Sequence, residues 1–163
     1  MAHTPHLSAL HVEKRRSHAT ITLTSGEAVA GCFFVSHSSA HLPGPERIGE
    51  LLNGADGLFP FEVHGGGAPR TVLLNRAQIL TVSLADNEAR EAPGYDVATP
   101  YLVTVGLVRG PQLMGTIRVY GPDGHNRLSD WARDSARFRY VEGDRGTLLV
   151  NMNHVIDVSE APQ

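Results

Sequence analysis

The chain has 163 residues, 41% of them hydrophobic and 19% charged, a balance that can bury a core and suits one ordinary domain or two very small ones. Its formal net charge of −3 excludes overall attraction to polyphosphate or to an anionic membrane surface, so a nucleic-acid role has to rest on a local patch. The single cysteine, Cys32, excludes a disulfide framework and a cysteine-based zinc knuckle.

Residues 1–19 read as an extension. They carry His3, His6, His11 and the charged run Glu13-Lys14-Arg15-Arg16, where an export signal needs continuous apolar sequence. No run approaches the roughly eighteen consecutive apolar residues of a membrane span. The expectation is a soluble, non-exported, cytoplasmic protein without membrane insertion, its three early histidines belonging to a frayed terminus rather than to a metal site.

From residue 20 the period is two. "ATITLTSGE" sets Ile21 and Leu23 against Thr20, Thr22 and Thr24 and then meets Ser25-Gly26, a strand entering a turn. Cys32 stands beside Phe33 and Phe34 in the next strand, with no base near it in sequence, and reads as a buried thiol. "SHSSAHLPGP" is loop-like; its His37 and His41 are four apart but lack a third ligand at metal spacing. Next the period switches. Ile48, Leu51 and Leu52 fall at i, i+3, i+4, with Pro45 in the first helical turn and Gly54 at a left-handed C-cap. Alternation returns in "LFPFEV". "VHGGGAPR" has the His-Gly-Gly-Gly letters of an esterase oxyanion loop, but without a G-x-S-x-G elbow it reads as a plain loop. The segment closes on "LLNRAQILTV", two apolar runs around Asn75.

A polar stretch, "DNEAREAPGYDVATP" at 86–100, reads as a linker. Beyond it Val103, Val105 and Leu107 alternate, the chain turns at Arg109-Gly110-Pro111, and Met114, Ile117 and Val119 resume the pattern. Asn126 is a natural N-cap for a helix whose apolar face is Leu128, Trp131 and Ala132, with Trp131 a core anchor. Arg127 and Asp130 repeat the i, i+3 spacing of Arg47 and Glu50, most simply as surface ion pairs. Arg133, Arg137 and Arg139 are interleaved with Phe138 and Tyr140, which in a strand gives a solvated face over a core face; a weak patch for RNA or an acidic partner is the alternative. "LVNMNHVIDV" and a short tail, 159–163, end the chain.

The second half restates the first. Ile21-x-Leu23-x-x-Gly26-x-x-Val29-x-Gly31 lies over Val105-x-Leu107-x-x-Gly110-x-x-Leu113-x-Gly115, a shift of 84 residues (115 − 31). "RIGELLN" lies over "RLSDWAR" at 80 (127 − 47), Phe59-x-Phe61 over Phe138-x-Tyr140 at 79 (138 − 59), and Asn75 over Asn151 at 76 (151 − 75). The shift changes only between apolar segments, where loops absorb length changes. Two modules are expected, 20–85 and 101–158, each with about five strands and one short helix: a mainly β chain whose strongly bent sheets close to bury one face.

The opening φ-x-φ-x-x-G-x-x-φ-x-G of each module, and its close in a strand ending in an Asn, a tight turn and a short final strand, resemble the Sm-like (LSm) fold within the SH3-like barrels, over most of the chain. The modules differ from that family in placing the helix mid-module and in carrying Asn75-Arg76 or Asn151-Met152 where Arg-Gly is usual. The resemblance implies two tandem SH3/Sm-like small barrels and assembly through strand edges, three two-module chains making a six-module ring. No P-loop, dinucleotide fingerprint, paired catalytic carboxylates or other catalytic constellation is present in the sequence. The expected function is therefore noncatalytic: a scaffold, adaptor or accessory subunit that self-associates and binds protein partners, with no cofactor and no metal. The alternative is RNA or nucleotide binding. There the resemblance points to Asp123 to Asn126 and Asn151 to His154, with Asn75 and Arg76 in the first module, beside Arg133, Arg137 and Arg139. The Asn shared by both turns reads as a turn-former tolerant of left-handed backbone.

Overall fold

Period-two segments become strands and the two period-switched segments become helices. The computed structural model describes residues 14–162, so His3, His6 and His11 lie outside the described residues. Among the described residues there are ten strands: β1 Lys14–Leu23, β2 Ala28–Ser36, β3 Leu58–Val63, β4 Arg70–Asn75, β5 Ile79–Leu84, β6 Thr99–Leu107, β7 Leu113–Val119, β8 Phe138–Gly143, β9 Gly146–Asn151 and β10 Val155–Glu160. The helices are α1, Ile48–Asn53, and α2, Leu128–Ala132. No described helix is long and apolar enough to cross a membrane.

All strand pairs are antiparallel, and the ten form one open sheet in the order β10-β6-β7-β8-β9-β5-β1-β2-β3-β4. The order has an internal echo. The first five strands run 5-1-2-3-4, and the last five repeat that order, joined where β9 pairs with β5. β4 and β10 are left as the two edges.

The halves also match residue for residue. A Cβ on Gly31 would lie 1.8 Å from the Glu62 carbonyl oxygen, and one on Gly115 would lie 2.8 Å from that of Glu142. Both positions need glycine because the next strand crosses too closely for any side chain. Leu58 pairs with Asn75 as Phe138 pairs with Asn151. β8 therefore overlies β3 at a shift of 80 (138 − 58), not the 79 suggested by the aromatic spacing. Phe138 corresponds to Leu58, and Arg139 to Phe59.

Two apolar cores lie along the sheet, and each takes residues from the other half. The first gathers Ile21, Phe33, Phe59, Phe61, Ile79 and Val82 with Phe138 and Leu149. The second gathers Val103, Val105, Ile117, Val141 and Val150 with Leu80. Trp131 is half-buried against the second core.

Several local expectations are corrected. β1 begins at Lys14, so residues 14–19 belong to the sheet rather than to an extension. α1 starts at Ile48, leaving Pro45 ahead of it, and Gly54 is right-handed, with φ −77°. Asn126 does not cap α2; Arg127 does, with the Asp130 carboxylate accepting from its backbone N–H at 2.9 Å. Asn126 is instead spent on β6, donating from Nδ2 to Thr99 Oγ1 at 2.9 Å while its carbonyl accepts from the Tyr101 hydroxyl at 2.7 Å.

The segment read as a linker is packed. It forms 3₁₀ turns at Glu88–Glu91 and Tyr95–Val97, with Ala89 buried. Glu88 accepts from the backbone N–H groups of Ile48 and Gly49 at 3.0 and 2.9 Å, adding from outside the helix to the Glu50 carboxylate, which accepts from the Arg47 N–H at 3.3 Å. Arg47 is buried rather than at the surface, its Nε donating to Glu91 at 2.7 Å and its Nη1 to Glu50 at 3.3 Å. On the other side of the segment, Asn87 and the Tyr95 hydroxyl donate to Glu142 at 2.8 and 2.5 Å.

Candidate functional site

The join between the halves shows what this chain's strand edges can do. β5 and β9 pair through Thr81↔Val150, Val82↔Leu149 and Ser83↔Leu148. Around that ladder Phe138 is 2% exposed, Leu149 0% and Leu80 3%. Asn151 is fully buried and bridges the strands, donating from Nδ2 to the Ile79 carbonyl at 2.9 Å while its Oδ1 accepts from Asn153 N at 3.1 Å. Asn53 clasps Phe138, donating to its carbonyl at 2.9 Å and accepting from its N–H at 2.8 Å. His154 makes a 2.7 Å contact with the Ala77 carbonyl.

The equivalent positions on the outer edges are uncovered. Leu58, the counterpart of Phe138, is 59% exposed; Leu73, the counterpart of Leu149, is 64% exposed; Ile156, the counterpart of Leu80, is 69% exposed. Buried positions of one half are thus solvent-facing apolar positions in the other, because among the described residues no strand lies beyond β4 or β10.

The residues named for RNA or nucleotide binding do not converge. Asp123 is exposed on the β7–α2 loop. Asn75 is exposed on β4 and accepts from Ala77 N at 3.0 Å. Neither Asn75 nor Asn151 is left-handed, with φ −89° and −76°; each makes its turn by capping a 3₁₀ turn with its side chain. Arg76 is buried and donates to the carbonyls of Asp56, Leu58 and Leu51 at 3.2–3.3 Å, its guanidinium lying 5.2 Å from the Phe59 ring centre. Arg139 is buried as well, not solvated. It donates to the carbonyls of Trp131, Asp134 and Ala136 and stacks 4.5 Å from the Trp131 ring centre. Arg137 pairs with Asp56, and Arg133, the most exposed of the three, pairs with Asp130 at 3.8 Å.

A groove of about 600 Å³ runs between the 86–100 segment and β7, α2 and β8, walled by Pro93, Tyr95, Arg118, Tyr120 and Trp131. Its principal acid, Glu142, is already committed. Burial alone would raise its pKa, but hydrogen bonds from Tyr95, Asn87 and Arg118 outweigh that and hold it below the usual carboxylate range. At the opposite end of the segment burial pushes Glu88 up despite its three donors. Burial and the Glu88 charge push Tyr140 far up as well. These partners tie the 86–100 segment to α1 on one side and to β8 on the other.

Sequence reasoning missed one constellation. His18 on β1, Cys32 on β2 and His64 just after β3 bring a ring nitrogen, a sulfur and a second ring nitrogen to within 4.8 Å of one another. The signal was the hairpin. A turn at Ser25-Gly26 places residues seven before and seven after Ser25 opposite each other, which are His18 and Cys32. Cys32 is buried as expected, and that burial, followed by the Glu62 charge, pushes its thiol up, so alone it is a poor nucleophile. Compared with known proteins, the chain matches no family model, no curated protein and no solved structure.

Proposed function

We propose that the protein is a noncatalytic assembly subunit built from two Sm-like, SH3-like small barrels, and that copies join edge to edge by pairing β4 of one chain with β10 of the next. One observation carries this reading: the β5–β9 join is a working example, inside the chain, of the contact the free edges would make. Shifting its register by 76 residues pairs Leu74 with Asp157, Leu73 with Val158 and Val72 with Ser159 of the neighbour. That contact covers Leu58, Leu73 and Ile156 as Phe138, Leu149 and Leu80 are covered internally. Each fully buried side chain contributes about 2 kcal/mol, and pairing the edges removes two open ladders that invite uncontrolled association. Three chains then close a ring of six units, the closed heterologous arrangement such an edge favours.

The RNA reading finds less support, because Arg76, Arg139, Asn126 and Asn151 spend their polar atoms inside the chain. Size exclusion with light scattering on the full chain tests both. The expected species contains three chains, free of RNA by its 260/280 nm absorbance ratio, and Ile156→Arg reduces it to single chains. A monomer at micromolar concentration, or an oligomer indifferent to Ile156→Arg, overturns the edge reading. Co-purified RNA removed by RNase or salt would favour the alternative.

A further inference from the structure

We propose that His18, Cys32, His64 and Glu62 form a binding site for one divalent zinc-type ion on the outer face of the sheet, stapling β1, β2 and the end of β3. The ligands are set by register. His18 pairs directly with Cys32, and Cys32 with Glu62, giving a row across three adjacent strands. Their chain neighbours Ala19, Phe33 and Phe61 all point into the first core, so alternation sends the row to the opposite face. His64 lies two residues beyond Glu62 and therefore on the same side. Its backbone N–H is fixed to the Ala30 carbonyl at 2.9 Å.

The spacing suits tetrahedral coordination. With metal–sulfur and metal–nitrogen bonds of about 2.3 and 2.05 Å, sulfur and nitrogen ligands stand about 3.6 Å apart. Cys32 Sγ lies 3.3 Å from His18 Nδ1 and 3.8 Å from His64 Nε2. The Glu62 carboxylate stands beside this trio, with Oε1 2.8 Å from His64 Nε2 and Oε2 3.2 Å from Arg16 Nε, and takes the fourth position once an ion replaces its hydrogen bond to His64. Arg16 thus orients the carboxylate from outside, as supporting groups do around metal ligands.

Donor chemistry selects the ion. One sulfur and two imidazoles disfavour calcium and magnesium and suit zinc or its spectroscopic surrogate cobalt(II). A thiolate and a carboxylate together neutralise a dication. Binding displaces the Cys32 thiol proton to solvent, and the His64 ring proton, which faces Glu62 from Nε2 in the metal-free chain, moves to Nδ1 so that Nε2 can ligate. The arrangement also accounts for a sulfur that is wholly buried on the face away from the core: the two imidazoles, edge to face with ring centres 5.7 Å apart, cover it.

Cobalt(II) titration of the metal-free full chain tests the site. The expected result is one ion per chain, with a thiolate-to-cobalt charge-transfer band and the intense visible bands of tetrahedral coordination, both erased by zinc. His18→Gln and His64→Gln should each weaken binding by about 100-fold or more, and Cys32→Ser should abolish the charge-transfer band. Circular dichroism of each variant separates lost ligation from lost folding, and the exposed His18 position provides a substitution that leaves the core untouched. A chain in which His3, His6 and His11 are all replaced by alanine should bind unchanged. The proposal is overturned if no thiolate band appears, or if binding survives the His18 and His64 substitutions and vanishes with the three early histidines.

Discussion

At the residue scale, one arginine role has changed position between the halves. In the first half Arg76, from the turn after β4, donates to the Leu51 carbonyl near the end of α1 and lies over Phe59. In the second half the residue at that turn is Met152, and the equivalent carbonyl, that of Trp131, accepts instead from Arg139, which occupies the place of Phe59. Both guanidiniums satisfy carbonyls that a short helix leaves open at its C-terminus. The need is the same, and the strand position that meets it differs. Replacing Arg76 by Met should therefore cost on the order of 2 kcal/mol by urea denaturation, since it removes the part-buried hydrogen bonds of a buried guanidinium to three backbone carbonyls, whereas Arg133→Met should stay within about 0.5 kcal/mol. A second expectation concerns pH. The folded pKa of Glu142 is depressed, so its contribution is present above the unfolded carboxylate value of about 4.3 and is lost as pH falls through the folded value. Glu88 is raised, so it acts with the opposite sign, and stability falls as pH rises from about 4.3 through its folded value. Melting temperature measured from pH 3 to 6 should drop steeply toward acid in the native chain and less steeply in Glu142→Gln. Equal slopes would show that Glu142 is not the group being titrated. None of these roles was legible in the sequence, where Arg139 alternates with Phe138 and Tyr140 and looks solvent-facing. The alternation was read correctly, but α2 and Trp131 lie over that face and bury it.

At the scale of elements, α1 is too short to stand by itself, since six residues close few internal hydrogen bonds. It persists because its N-terminus is capped from outside by Glu88, forty residues downstream of Ile48, and because Ile48 and Leu52 enter the first core. Glu88→Ala removes the acceptor of two backbone N–H groups and of the Tyr140 hydroxyl, 3.0 Å away. The expected cost is about 2–3 kcal/mol, with faster amide exchange confined to α1 and the 88–91 turn. Uniform acceleration over the whole sheet would mean that the cap supports global stability instead. The strands and both helices were legible because period two and period 3.6 are local signals. The packing of residues 86–100 was not, because its polar composition matches a linker while its partners, Ile48, Gly49, Arg47 and Glu142, lie far away in sequence. The three-strand row of His18, Cys32 and Glu62 falls between these cases. Its first pair follows from the Ser25-Gly26 turn, but its second depends on how β3 returns after α1, which no local pattern fixes.

For the whole molecule, the two shared asparagines offer a comparison the sequence set up and the sheet order sharpens. Asn151 sits within the join, where its amide both caps the 3₁₀ turn and donates across to the Ile79 carbonyl. Asn75 makes the same turn at an open edge, where only the cap to Ala77 N is formed. If β10 of a second chain occupies that edge in the register of the internal join, Asn75 Nδ2 meets the carbonyl of Val155, the counterpart of Ile79. The two substitutions should then separate according to association. In an Ile156→Arg background, which keeps chains apart, Asn151→Ala should cost roughly 2–3 kcal/mol because a buried strand carbonyl loses its donor. Asn75→Ala should cost only about 0.5–1 kcal/mol there, the value of an exposed turn cap. With the edges intact, Asn75→Ala should acquire a second effect, weakening association about tenfold, equivalent to about 1.4 kcal/mol, when oligomer mass is followed by light scattering on dilution. Equal costs in the separated background would mean that burial at the join adds nothing to Asn151. An unchanged dilution curve would mean that no strand carbonyl lies opposite Asn75 in the oligomer, leaving the exposed Leu58, Leu73 and Ile156 to be covered by a contact of different register.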